Sequence, residues 1–325
     1  MTHVFVAPHP DDIALSCGGL IAKLRGLGQN VTILTVYSGT GAAGPLTPYQ
    51  REALGFGTKA TRPASEAFDR SNVAADRPLD PSAAPYLAEP DRLEATQAEA
   101  DGAGAGAGAL ETAGPGGAAF VMATRRREDE RFASFAEASI VWLDLPDAVF
   151  RGYNGDDALL GSPRPGDQPP VKLLGREIAR LEPQRVYIPL AIGSHVDHQL
   201  TRAAGVALLG RASDWVMPGP DYAGSLAFYE DFPYAWWGDF SRLEDLPVGA
   251  LDGVPSGVAI TPEVASIGDS IDWKIRGIGL YASQLDNLFG GAGPMTDAVR
   301  GFGRKVAALG GLPGYAERYW VTARL

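Results

Sequence analysis

The chain predicts an α/β domain built on a mostly parallel sheet with helices on both faces. Two observations carry that expectation. Short apolar runs alternate with segments of helical periodicity through much of its 325 residues, the pattern of strands covered by crossover helices. Three of its four histidines fall in two short clusters, His9-Pro10-Asp11-Asp12 and His195-Val196-Asp197-His198, each directly after such a run. In an open α/β sheet, ligands bind beyond the carboxyl ends of parallel strands.

The first element is a strand over Val4–Ala7. Gly18-Gly19 opens a helix carrying Leu20, Ile21, Leu24 and Leu27 at helical spacing. Gly28 and Asn30 stop it, and Val31–Tyr37 follows as a β-branched strand. A βαβ unit of this length implies a right-handed crossover and a parallel pair. The stretch from Ser38 to Ala123 is rich in Gly, Ala, Pro and acidic residues. Residues 84–119 read as a flexible insertion, with too little apolar surface to offset ordering entropy, and 39–83 as a partly ordered excursion. Order resumes at Arg125 with a helix carrying Phe132, Phe135 and Ala136. A strand over 140–145 comes next, then a helix with Val171, Leu174, Ile178 and Leu181 in phase. Strand 185–190 leads into the second cluster and a helix carrying Leu200, Ala204, Ala207 and Leu208. Strands near 225–230 and 256–261 and helices near 264–284 and 295–308 complete residues 1–325. No linker divides them, so they read as one domain.

Composition narrows the function. Hydrophobic content is 45% and charged content 21%, ordinary for a globular protein with a sizeable core. The net charge of −11 comes without a basic stripe, which argues against nucleic acid as partner. A lone Cys17 excludes an internal disulfide and a cysteine-rich zinc site. No apolar segment approaches a bilayer span of about 20 residues, and no signal-peptide pattern opens the sequence. The expectation is a cytoplasmic protein without membrane insertion, with self-association left open.

The clusters suit metal-assisted hydrolysis. Catalytic zinc takes three protein ligands from His, Asp and Glu and keeps one position for water. His9 and Asp12 on one turn and His198 from the second strand end supply such a set. Asp11 is left beside the water as proton acceptor. His195 lies across the site, where an imidazolium would stabilise an oxyanion or protonate the leaving amine. Asp197 would orient that ring. Either cluster alone is more often a capping turn or a solvated loop; two at matching strand ends reverse that balance. His3 reads as structural.

Ala7-Pro8-His9-Pro10-Asp11-Asp12 with Cys17-Gly18-Gly19, and His195-Val196-Asp197-His198, resemble the two signatures of the LmbE-like/PIG-L de-N-acetylases. Softer similarity runs through Arg125–Asp129, Leu143–Asp147, Phe228–Tyr234, Lys274 and Tyr281–Gln284. The resemblance implies a Rossmann-like fold, zinc (with iron as substitute) and removal of acetyl from an N-acetylglucosaminyl small molecule. It implies His9, Asp12 and His198 as ligands, Asp11 as base and His195 in support of the transition state. Asp147 and Arg126 match sugar-site positions loosely. Two positions depart from the pattern: Ile13, where the family often has Glu, and Gly193, where some members have Tyr. Three rivals remain: an amidase on a thiol-conjugated glucosamine, a non-catalytic metal- or ligand-binding module, and a nucleotide-binding α/β protein. The last would use Gly39-Thr40-Gly41-Ala42-Ala43-Gly44, but Pro45 and Pro48 obstruct the helix it requires. Tyr229, Phe232, Tyr234, Trp236 and Trp237 would line a cleft edge, and Glu230 and Asp231 read equally well as solvated loop charges.

Overall fold

Strand order carries the functional information. The computed structural model describes residues 1–41, 44–56, 117–209, 224–237, 241–246 and 252–325. Among these, one seven-stranded sheet runs β3-β2-β1-β4-β5-β7-β6. Its strands are β1 (Thr2–Ala7), β2 (Asn30–Thr35), β3 (Ser139–Trp142), β4 (Arg185–Pro189), β5 (Leu226–Tyr229), β6 (Val258–Ser266) and β7 (Ala316–Arg324). The first five pair in parallel; β7 runs antiparallel to both β5 and β6. From β1 the chain winds outward through β2 and β3, then returns to β4 on the other side of β1. That reversal is the topological switch point, where neighbouring loops diverge and leave a crevice.

The helices are α1 (Asp12–Gly26), α2 (Pro48–Ala53), α3 (Ala118–Phe135), α4 (Asp156–Leu159), α5 (Val171–Leu181) and α6 (Val196–Ala207). They continue with α7 (Tyr234–Trp237), α8 (Ile271–Gly279), α9 (Ala282–Phe289) and α10 (Ala292–Leu309). A 3-10 turn spans Ala148–Arg151. Helices α1, α3, α8, α9 and α10 pack among themselves, and α5 packs on α6; right-handed crossovers place the sheet between the two groups. Val4, Phe5, Val6, Ile33, Leu34, Val186 and Ile188 are buried accordingly, as a two-sided parallel core requires.

Several boundaries differ from expectation. Helix α1 begins at Asp12, six residues before Gly18, so the first cluster runs straight into a helix. Gly18 and Gly19 lie inside it because neighbours press close: a Cβ at Gly19 would come within 2.7 Å of Ile267. Helix α3 begins at Ala118, so Ala118 and Ala119 are helical; residues 84–116 of the expected insertion lie outside the described residues. Strand β3 ends at Trp142, and Asp144 turns the chain with φ 58°. The single helix expected near 264–284 is instead the end of β6 followed by α8 and α9. Strand β7 was not anticipated. Its first residues are charged, and burial of Glu317 and Arg318 rests on ion pairs invisible in a hydropathy pattern.

Among the described residues of the glycine-rich segment, Gly39 bridges to Pro146, and beyond it Pro45 bridges to Gly117; the next described helix begins at Pro48, capped by Thr47.

Candidate active site

Both histidine clusters lie at the switch point. Strands β1 and β4 are hydrogen-bonded neighbours, with His3 opposite Arg185 and Phe5 opposite Tyr187, so the loops leaving their carboxyl ends are adjacent. The first is pinned by Val36 and Tyr37, whose N–H groups donate to the carbonyls of Ala7 and Pro8. It ends in Asp11, held at φ 99°. A non-glycine residue there is strained, and such strain collects where function fixes a side chain. The second loop carries three successive departures, Ala191 (φ 63°), Gly193 (φ 87°) and Ser194 (φ 60°). It delivers His195 as the N-cap of α6, with His198 in the first turn.

Three imidazoles and five carboxylates meet here, all buried: His9, His195 and His198 with Asp11, Asp12, Asp147, Asp197 and Asp231. Ring centroids of His9 lie 4.8 Å from His195 and 5.3 Å from His198. One oxygen of Asp12, Oδ2, lies 3.6 Å from His9 Nδ1 and 3.5 Å from His198 Nε2. Ligands held at 2.0–2.1 Å from one tetrahedral zinc stand about 3.4 Å apart. The far nitrogens are already committed: His9 Nε2 pairs with Asp197 Oδ2 at 2.9 Å, and His198 Nδ1 with Asp231 Oδ1 at 2.6 Å. Such outer carboxylates set the tautomer and turn the other nitrogen toward a cation. The histidines and aspartates gathered here therefore suit a divalent metal, and Asp12 Oδ2 lies close to one nitrogen of His9 and one of His198.

The donor groups that lie within 4.8 Å of one another are His9 with His195 and His198, and His9 with Asp147 and Asp197. Several of their atoms have partners within the protein. Asp197 accepts Ala148 N–H at 2.9 Å and Arg151 Nη2 at 2.7 Å as well as His9. His195 Nδ1 accepts Asp197 N–H at 3.2 Å.

The carboxylates make this a pocket that favours positive charge. Burial opposes the charged form of His9, but Asp147, Asp12 and Asp197 outweigh it and push the ring up to about 10. Burial likewise works against ionised Asp12, yet His198 and His9 hold it down at about 2. Asp11 goes the other way. Burial raises it to about 7, with Arg125 pulling it down and Asp12 pushing it up. That is a base poised near neutrality. Burial, then the neighbouring His9 and His198, drive His195 well below its usual value.

Two details differ from expectation. Burial, then the neighbouring His9 and His198, disfavours the imidazolium form of His195, whose Nδ1 accepts Asp197 N–H. The Asp197 carboxylate orients His9 rather than His195, because α6 turns it toward the 3-10 turn; only its backbone N–H touches His195.

Asp147 belongs to the centre. It caps the 3-10 turn through Val149 N–H and places Oδ2 3.6 Å from His9 Nε2. Arg126 does not. It donates to Ser38 O, pairs with Asp144 and stacks over Trp142. Its helical neighbour Arg125 faces the centre instead, 3.6 Å from Asp11 Oδ1 and 3.7 Å from Asp147 Oδ2. One residue along a helix rotates a side chain by about 100°, a distinction a loose motif match does not make.

Asp231 and Arg151 were not singled out for the site. Asp231 anchors His198 and also accepts Ile192 N–H at 3.0 Å, and Glu230 pairs with Arg318. Neither is a solvated loop charge. Of the aromatic group, Tyr229 and Phe232 are core residues, the Tyr229 hydroxyl donating to Val6 O. Trp236 packs on Phe302. Tyr234 and Trp237 remain at the edge. Ile13 is buried in the core and His3 pairs with Gln29 at the opposite end of β1.

With this arrangement established, comparison with known proteins is informative. The family model of the GlcNAc-PI de-N-acetylases, PIG-L, matches residues 4–209. The chain belongs to this family. It is thereby an amide hydrolase of the de-N-acetylase kind. A 2'-N-acetylparomamine deacetylase of Streptomyces fradiae is 28% identical over 87% of this chain and 74% of its own length. Among solved structures, the A40926 pseudoaglycone deacetylase superposes with a TM-score of 0.59 at 21% identity, covering 99% of this chain and 97% of the other. A zinc-inhibited form of teicoplanin deacetylase gives 0.61 at 19%, covering 100% and 99%. At these identities the structural likeness establishes the fold, a single α/β domain. No helix among the described residues is long and apolar enough to cross a membrane.

Proposed function

We propose that the protein is a zinc-dependent hydrolase that removes acetyl from the amino group of an N-acetylglucosaminyl-type small molecule, releasing acetate. The observation that carries this reading is Asp12 standing between two outward-anchored imidazoles, with Asp11 unligated beside them on a strained turn. The names of the relatives, deacetylases of 2'-N-acetylparomamine, of the A40926 pseudoaglycone and of teicoplanin, favour an N-acetylated amino group on a larger small molecule.

His9, Asp12 and His198 would hold the ion, a donor set of two imidazoles and one carboxylate suited to zinc. When bound, the metal supplies Lewis acidity toward the acetyl carbonyl and lowers the pKa of water. Asp11 accepts the proton of the attacking water as its oxygen bonds to the carbonyl carbon. The Nε2–H of neutral His195 donates to the developing oxyanion. As the C–N bond breaks, Asp11 returns the proton to the leaving nitrogen, giving the free amine and acetate. Arg125 keeps Asp11 oriented and, with Asp147, presents polar groups to the sugar hydroxyls. We extend this reading to residues 1–325 as one deacetylase domain, with its insertion ending before Ala118, working in the cytoplasm.

The test is acetate release from a panel of N-acetylglucosaminides and 2'-N-acetyl aminoglycosides by zinc-loaded protein. Asp11→Asn should retain zinc and lose about 10²–10⁴-fold in kcat, the worth of a positioned general base. Undiminished turnover by this variant, or zinc bound normally by His198→Ala, refutes the assignment.

A further inference from the structure

We infer that Tyr234 donates a hydrogen bond to the acyl oxygen of the substrate, and that Gly193 is the residue that makes room for its ring. The inference rests on the deacetylase reading above and adds to it a group on a different element, α7.

Few donors at the centre remain uncommitted. The outer nitrogens of His9 and His198 are spent on Asp197 and Asp231. Arg151 is engaged by Asp197 and Asp167; Arg125 donates to Pro10 O and keeps Nε without a partner among the described residues. Asp11, Asp12 and Asp147 accept. Beside His195 Nε2–H stands the phenol of Tyr234, which forms no hydrogen bond with another described residue. A phenol is protonated at neutral pH and so is a donor.

Its placement is tightly specified. Tyr234 opens α7 three residues after Asp231, so the carboxylate that anchors His198 and the phenol share one short segment. The ring meets His198 edge-on with centroids 6.0 Å apart, and Trp237 braces it at 6.0 Å from another side. A Cβ at Gly193 would fall 2.4 Å from both Cγ and Cδ1 of Tyr234. Any side chain there would displace the ring. Gly193 also stands at φ 87°, so glycine answers both the turn and the ring. Burial, followed by the charges of Asp12 and Asp11, pushes the phenol's pKa up, so it stays protonated and able to donate.

Tyr234→Phe keeps the ring and removes only the donor. In zinc-loaded protein, kcat on an N-acetylglucosaminide should fall about 10²-fold, with KM and zinc stoichiometry unchanged. A methylphosphonamidate of glucosamine, a tetrahedral mimic of the attacked amide, should bind the variant about 10²-fold more weakly by calorimetry, a readout that needs no turnover. Gly193→Ala should reduce both quantities in the wild-type background and add little in Tyr234→Phe, since the two changes act through one contact. Equal turnover and equal phosphonamidate affinity for Tyr234→Phe overturn the donor role. An undiminished Gly193→Ala effect in the Tyr234→Phe background overturns the link to glycine. A wild-type protein releasing no acetate from any N-acetylglucosaminide overturns the deacetylase reading instead, and the phosphonamidate comparison still decides Tyr234.

Discussion

Replacing Asp231 by alanine separates metal assembly from the sheet that supports it. Its two oxygens serve two buried donors, His198 Nδ1–H at 2.6 Å and Ile192 N–H at 3.0 Å. Alanine leaves both unpaired in a site where Asp231 itself is only 1% exposed. Each orphaned buried donor costs about 1–3 kcal/mol, so the metal-free protein should lose about 2–6 kcal/mol, read from urea unfolding midpoints. His198 also loses the partner that turns Nε2 toward Asp12, and removal of such a partner weakens metal binding by about 10–100-fold. Asp231→Asn keeps one acceptor oxygen for two donors and should fall between wild type and alanine. The assay is zinc competition against a chromophoric chelator at fixed pH. Zinc affinity within about twofold of wild type for Asp231→Ala would refute the coupling, because a histidine free to rotate cannot bind as well as one held in register.

Lys274→Met should destabilise the fold by about 3–5 kcal/mol, since it strands the buried Glu317 carboxylate that Lys274 Nζ approaches at 2.7 Å; adding Glu317→Gln should recover part of that loss in urea melts. Arg125→Met removes the cation that lowers Asp11. The base then stays protonated to higher pH, and the acid limb of kcat/KM should move upward, whereas Arg126→Ala should leave the profile in place. Asp129 is raised by burial to about 6 and is served by Tyr281, Thr35 and Trp142. A folded-state value above the unfolded one means that its stabilising contribution is present below about pH 4 and lost as pH rises through 6. It thus withholds roughly 3 kcal/mol at neutrality, and the unfolding free energy of Asp129→Asn should lose that part of the pH slope.

The parallel half of the sheet and both clusters were legible because each strand is a continuous apolar run that ends in its own chemistry. Val4–Ala7 and Val186–Ile188 needed no tertiary knowledge to read as buried strands. The convergence of the two clusters followed from those strand ends being neighbours. What escaped notice depends on pairings made across the fold. Strand β7 hides Glu317 and Arg318 among partners 298 and 88 residues away. The choice between Arg125 and Arg126 turns on helix phase, which starting the helix at Arg125 rather than Ala118 left unfixed. Asp231 looked solvated because its importance lies in His198, 33 residues earlier.

The position of β7 also shapes how the molecule must be made. Among the described residues, it lies between β5 and β6 and joins the parallel strands to the outer one. Until residues 316–324 arrive, Leu226–Tyr229 presents an apolar, unpaired edge, the kind of surface on which nascent chains stick to one another. A growing polypeptide could therefore gather its histidines at the crevice early and yet remain vulnerable to aggregation until that last seam closes.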